Sequence, residues 1–145
     1  MEFRFVDYCP LYFTELREQP VPSHREGKFV VLRNAVARYA VFSPRQLSTY
    51  HANIVERFLW GQGIPGRYNA KRDVFTFDAP DWQVEGGAHW ERDDDKGVLR
   101  LHGGSHAYGG LDLAPLAAEL SGLLISAEAK WDLVVIFPGW RRGCR

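Results

Sequence analysis

The segment HGGSHAYGG, residues 102–110, is the most informative stretch of this 145-residue chain. It contains four glycines, two histidines and a serine, and it lies between an alternating, strand-like run at residues 98–101 and a helix-like run at residues 113–124. Glycine lets backbone N–H groups approach a ligand closely, and a loop that opens onto a helix N-terminus gathers unpaired donors that favour an anion. The spacing matches neither the P-loop nor the dinucleotide-binding fingerprint. The segment therefore predicts an anion-binding, phosphate-type loop between a strand and a helix.

The residues on either side of this loop extend the pattern. Residues 82–92 and 97–101 predict a hairpin closed by the turn DDDKG, with Gly86 and Gly87 as a bulge or a site of close approach. After the loop, Asp112 is a good cap for the second helix. The apolar run WDLVVIF, residues 131–137, predicts a final buried strand.

Upstream, the sequence predicts four more strands and one more helix. The strands are expected at residues 2–6, 28–33, 38–42 and 73–77, and residues 9–27 are expected to form a loop with a short helical turn. Ser43 is a favourable helix cap and Pro44 suits the first helical position, so we expect a helix that begins there and ends at Gly61. We predict an α+β fold, an α/β sandwich with a mixed sheet of about six strands flanked by two helices. Residues 1–145 form a single domain in this interpretation, with residues 1–27 as an N-terminal extension of unassigned role.

Composition narrows the classes of function. Lys plus Arg is 18 and Asp plus Glu is 18, which argues against a duplex-DNA binder and predicts no nucleic-acid partner. No apolar run reaches membrane-spanning length and no signal peptide is recognisable, so we expect no membrane partner and a cytoplasmic protein. The two cysteines, Cys9 and Cys144, favour two free thiols over a disulfide. Nothing in the sequence indicates an oligomeric state.

Several of these motifs together resemble a known family. The run GGAHWERDDDKGVLRLHGGSHAYG, residues 86–109, resembles without gaps the glycine-rich hairpin and S-x-A-Y-G loop of the protein histidine phosphatases, the Janus/Ocnus family. KFVVLR, residues 28–33, is similar to the family's lysine-bearing strand, and TYHANI, residues 49–54, is similar to its Y-H-A-x-I helix segment. The order and spacing agree from residue 28 to residue 137, whereas residues 1–27 match no part of the family that we can identify.

The resemblance implies a small phosphatase that hydrolyses phosphohistidine or a phosphoramidate without a metal or other cofactor. It implies His51 as the catalytic residue, Lys28 as the cation that binds the phosphate, and Ser105, His106 and Ala107 as the phosphate-holding loop. The expected partner is a phosphorylated protein or a small phosphoramidate. A histidine whose pKa is near neutrality suits the required proton transfers. His51 would activate a water molecule or attack phosphorus directly.

Two departures from the family pattern leave alternatives open. His89, which we expect in the substrate-binding site, stands where the family usually has an arginine, and His106 occupies a loop position that the family does not use catalytically. A non-catalytic anion-binding module that kept the fold is therefore the main alternative. A third hypothesis is a metal site in which His89, His102 and His106 converge on zinc or copper.

Overall fold

The central feature of the computed structural model is a mixed sheet of six strands. The structure describes the backbone of residues 1–125 and 132–136, and the side chains of residues 1–123. The strands of this sheet are β1 (Glu2–Asp7), β2 (His24–Arg33), β3 (Ala37–Pro44), β6 (Gln83–Asp93), β7 (Val98–His102) and β8 (Asp132–Ile136). Their order in the sheet is β1-β3-β2-β6-β7-β8, in which each outer strand is parallel to its neighbour and the inner four strands are antiparallel. The predicted mixed sheet of six strands is confirmed.

The two helices cover opposite faces of this sheet. Helix α1 (His51–Gly61) packs against Val30 and Leu32 of β2, and helix α2 (Leu113–Ile125) shares a core with Phe29 and Val31 of the same strand. Because successive strand residues point to opposite faces, the apolar run of β2 supplies both cores. The α/β sandwich expected from the sequence is confirmed, and Lys28, two residues before Val30, lies on the face that α1 covers.

A second, two-stranded sheet was only half predicted. Strand β5 (Val74–Phe77) matches the alternating run at residues 73–77, but its partner β4 (Gly66–Asn69) lies in a segment whose composition is typical of an exposed basic loop. The apolar side chain of Phe75 joins the core beneath α1 and anchors this small sheet. Strand β4 is too short and polar to be predicted from its own sequence, so its conformation depends on pairing with β5.

The predicted start of α1 is wrong. Ser43 and Pro44 continue β3 and lie opposite Lys28 and Gly27 of β2, so their backbones pair with the sheet. The Ser43 hydroxyl lies 2.8 Å from that of Ser48 across the following turn and does not cap a helix. The helix begins at His51 instead, where the N–H of Tyr50 donates to the Asn53 side chain over 2.9 Å. His51 consequently occupies the first helical position, about two turns nearer the helix start than expected.

The N-terminal extension is part of the fold. Strand β1 pairs in parallel with β3, and a π-helical turn at Pro10–Leu16 buries Phe13 against the α2 side of the sheet. Cys9 is a free thiol that is fully buried, and burial raises its pKa. Residues 126–131 and 137–145, which include Cys144, lie outside the described residues. Within the described part of the chain, no helix has the length and apolarity to cross a membrane.

Candidate functional site

Three side chains from neighbouring strands form a row across the sheet. Lys28 of β2 lies opposite His89 of β6, and His89 lies opposite His102 of β7. Directly paired residues point to the same face, so all three lie on the side of α1. The imidazoles of His89 and His102 stack with their centroids 5.4 Å apart. Two residues expected at the site, Lys28 and His89, are therefore brought together by strand register.

His51 approaches this row from the start of α1. Its ring centroid lies 5.5 Å from that of His89, and only 7% of the residue is exposed. Its Nε2 donates a hydrogen bond to the Ala88 carbonyl oxygen over 2.8 Å. A carbonyl only accepts hydrogen bonds, so the neutral ring carries its proton on Nε2 and its lone pair on Nδ1. Among the described residues, no hydrogen bond reaches Nδ1, which leaves that atom available as a base.

The electrostatic surroundings keep His51 neutral. Burial lowers the pKa of His51 to about 4, and the nearby His89, Lys28 and His106 add smaller effects in the same direction, against the opposing hydrogen bond to Ala88. Burial likewise lowers the pKa of His89 to about 4, with further contributions from His102 and Lys28. At neutral pH the imidazoles of His51 and His89 are therefore uncharged, and the ammonium of Lys28 supplies positive charge beside them.

Gly87 is the residue against which His51 packs. A Cβ atom at this position would lie 2.5 Å from Cδ2 of His51 and 3.0 Å from the Phe29 carbonyl oxygen. The expected close approach is found at Gly87, whereas the bulge in the register between β2 and β6 lies at Glu85, one residue before the glycine pair. The glycine thus makes room for the imidazole on the sheet surface.

Lys28 is held beside the N-terminus of α1. Its ammonium donates to the Thr49 carbonyl oxygen over 2.6 Å and lies 5.4 Å from the centre of the Tyr50 ring. Partial burial lowers the pKa of Lys28. Thr49 also lines a cleft of about 530 Å³ beside α1, so the ammonium is hydrogen-bonded to a residue of the cleft wall.

The glycine-rich loop packs on the same part of β6. The N–H of Gly87 donates to the Gly109 carbonyl oxygen over 3.0 Å. Within the loop, the N–H of Tyr108 donates to the Ser105 hydroxyl over 3.1 Å, and the N–H of Gly109 donates to the Ser105 carbonyl over 2.9 Å. These bonds fold residues 105–109 into a compact turn and give Ser105 a structural role.

The same turn leaves three backbone donors over. Hydrogen bonds among the described residues engage none of the N–H groups of Ser105, His106 and Ala107. Consecutive N–H groups in a turn form a concave site that suits an anion. The loop therefore has the donors that the sequence predicts for phosphate, and it begins beside the histidine row, because a Cβ atom at Gly103 would lie 2.8 Å from Cδ2 of His89.

The hypothetical three-histidine metal site does not form. His89 and His102 stack nearly parallel, with 17° between their planes, while His106 is exposed on the turn. In residues 1–123, whose side chains are described, the cluster with ligand atoms close enough for a metal is instead His24, Asp93 and Asp95 at the far end of the hairpin.

The groups that orient the catalytic candidates were not predicted from the sequence. The carbonyls of Ala88 and Thr49, which accept hydrogen bonds from His51 and Lys28, are backbone groups, so the identity of the side chains does not predict these contacts. Glu91, whose carboxylate lies 3.4 Å from Nε2 of His102, could have been predicted from its spacing in the sequence. It follows His89 by two positions in a predicted strand, which places both on one face.

The buried histidines make stability depend on pH. The unfolded chain binds a proton at His51 near pH 6.5, but the folded chain resists it until about pH 4, so the free energy of unfolding should fall as pH drops through this range. Since each pH unit of displacement is worth about 1.4 kcal/mol, His51 alone should remove roughly 3 kcal/mol. Urea unfolding at pH 7, 5.5 and 4.5 measures this loss. In His51→Gln, which cannot titrate, the loss should be smaller by that amount, and an equal loss would contradict the assignment.

No family model matches this chain, and no curated protein matches it significantly. The assignment of function therefore rests on the geometry of the site and on the motif resemblance alone.

Proposed function

We propose that this protein is a metal-independent phosphatase that hydrolyses phosphohistidine or a related phosphoramidate, with His51 as the general base. One observation carries the proposal: a neutral imidazole with a free Nδ1, an ammonium and a turn with three unpaired N–H groups lie around the middle of β6. A base, a cation and a set of anion donors are the three components that such hydrolysis requires. The motif resemblance, which identifies the same residues, supports it independently.

The anion donors would bind the phosphoryl group. Its oxygens would accept hydrogen bonds from the N–H groups of Ser105, His106 and Ala107, and Lys28 would neutralise charge on the opposite side. The N-terminus of α1 adds the positive end of a helix dipole close to His51. Phosphoryl transfer depends mainly on such positioning and electrostatic stabilisation, so the chain needs no further reactive group to hold the substrate.

The proton transfers would involve Nδ1 of His51. As a water oxygen forms its bond to phosphorus and the P–N bond breaks, Nδ1 accepts a proton from the water. The electron pair of the broken bond remains on the departing imidazole nitrogen. This nitrogen then accepts from His51 the proton that came from the water. A bound phosphoryl dianion raises the pKa of a nearby imidazole, so His51 becomes a stronger base when the substrate is present. Once protonated in this buried place, it is a good acid for the leaving group.

A second candidate is an anion-binding module without turnover. His89 stands where the family has an arginine, and its pKa of about 4 leaves it uncharged at neutral pH. The phosphoryl group would then meet less positive charge than in the family. This module would bind phosphate through the same turn and Lys28 but stabilise the transition state poorly.

Release of inorganic phosphate separates the two functions. We expect the protein to release phosphate from a phosphohistidine peptide and from phosphoramidate at pH 8, where spontaneous hydrolysis is slow, with the same rate in the presence of EDTA. Calorimetric binding of inorganic phosphate without any release would favour the module instead. A rate lost with EDTA and restored by zinc would contradict metal independence. A cytoplasmic location and a phosphorylated protein or small phosphoramidate as partner belong to this proposal.

A further inference from the structure

A second, highly charged cleft lies next to the histidine row. The row of Glu26, Glu91 and Arg100, aligned across β2, β6 and β7, comes one same-face position after the row of Lys28 and His89. Together with neighbouring side chains it lines a cleft of about 270 Å³. Same-face neighbours along a strand are about 7 Å apart. The cleft is therefore within a few residues' reach of a peptide bound at the proposed phosphate site.

Almost every charge along this cleft has a partner. The paired side chains and their distances are Glu26 with Arg45 at 3.3 Å, Glu91 with His102 at 3.4 Å, His24 with Asp93 at 2.9 Å, Arg25 with Asp94 at 2.7 Å and Arg92 with Asp94 at 3.5 Å. In three of these pairs a carboxylate offsets the charge of an arginine, whereas the imidazole in each of the other two is charged only when it is protonated. Each carboxylate in these pairs is directed at a partner other than Arg100.

Arg100 is the exception. It is only partly exposed and lines the cleft, but no hydrogen bond or ion pair joins it to any residue that the structure describes. Glu91, which lies directly opposite on β6, directs its carboxylate to His102 instead. The guanidinium therefore has no carboxylate partner within the described part of the chain, and its planar set of N–H donors matches a carboxylate in two parallel hydrogen bonds.

We propose that Arg100 binds a carboxylate of the substrate, so that the preferred substrate is phosphohistidine within an extended acidic peptide. This inference rests on the proposed function, because the phosphoryl site sets the position of the peptide. An extended chain advances about 3.3 Å per residue, so a Glu two positions from the phosphohistidine reaches the row that contains Arg100. The cleft thereby distinguishes a protein substrate from a small phosphoramidate, which does not extend that far.

Peptide binding tests the proposal without requiring turnover. The probes are fluorescent peptides that carry a non-hydrolysable phosphotriazole analogue of phosphohistidine, with Glu or Gln two positions before it or two positions after it. We expect one Glu peptide to bind about tenfold more tightly than its Gln counterpart, an effect typical of a charge-assisted hydrogen bond at a partly exposed site. Arg100→Gln should abolish this preference and leave the affinity for the Gln peptides unchanged.

A matched variant controls for net charge. Lys96→Gln removes one positive charge from the exposed turn of the same hairpin, and it should retain the tenfold preference. Equal binding of Glu and Gln peptides by the wild type, no binding of either, or a preference that survives Arg100→Gln would overturn the inference. Phosphate release without the preference would leave the proposed phosphatase intact, whereas the preference without any phosphate release would retain the Arg100 site and reject the phosphatase.

Discussion

Replacing His51 with glutamine should lower the rate of phosphohistidine hydrolysis about 10²–10⁴-fold, the usual contribution of a general base. The glutamine amide can still donate a hydrogen bond to the Ala88 carbonyl, as Nε2 of His51 does over 2.8 Å. It has no titratable nitrogen in place of Nδ1, so the substitution removes the base and keeps the local contact. The measurement is kcat/KM for phosphate release from a phosphohistidine peptide, corrected for spontaneous hydrolysis.

Two controls give this result its meaning. His24→Gln changes an exposed imidazole at the far end of the same sheet, and it should leave kcat/KM unchanged. Binding of inorganic phosphate should remain similar in His51→Gln, because Lys28 and the turn supply the contacts. Full activity of His51→Gln would remove His51 from the mechanism. An acid-labile phosphoryl group trapped on His51 during wild-type turnover would instead assign direct attack on phosphorus.

Gly87→Ala should inactivate the protein without replacing any side chain that contacts substrate. The new methyl group would meet Cδ2 of His51 at 2.5 Å and the Phe29 carbonyl at 3.0 Å. A backbone carbonyl within a sheet moves little, so the imidazole must rotate and give up its hydrogen bond to Ala88. We expect a loss of kcat/KM comparable to that of His51→Gln, together with a destabilisation of about 1–3 kcal/mol from overpacking.

Gly110→Ala is the matched control for this variant. A Cβ atom at Gly110, in the adjoining loop, would meet nothing within 4 Å, so activity and stability should stay near those of the wild type. Long-range ¹H–¹⁵N NMR spectra of the imidazoles report the tautomer of His51 directly. In Gly87→Ala we expect the Nε2–H tautomer signal to be lost, and an unchanged signal with unchanged activity would show that His51 is not fixed by this contact.

The fold was predictable to the extent that it depends on local patterns. Alternating side chains predict the strands, and the turn DDDKG predicts the hairpin of β6 and β7. The start of α1 was not, because Ser43 and Pro44 satisfy the rules for a helix cap and also fit the end of a strand. Pairing with Lys28 and Gly27 across the sheet settles the choice, and such pairing has no local signature.

The candidate site, like the fold, was predictable only in part. The resemblance identifies His51, Lys28 and the turn at residues 105–107 as elements that belong together, which the bottom-up patterns alone could not do. The pairing of Lys28 with His89 depends on strand register. A bulge at Glu85, nearer the start of β6, changes that register by one residue. Register of this kind follows from the packing of the whole sheet and cannot be derived from one strand.

Strand β1 gives the N-terminal extension a role in preventing aggregation through the edge of the sheet. Without β1, the run ARYAVF of β3 would form the outer edge of the sheet, and most of its side chains are buried and apolar. An open edge of this kind pairs readily with a strand from another molecule and leads to aggregation. Strand β1 closes that edge and offers a new one whose charged residues, Glu2, Arg4 and Asp7, discourage further pairing. A polypeptide shortened to the region that resembles the phosphatases would therefore lose a guard against self-association.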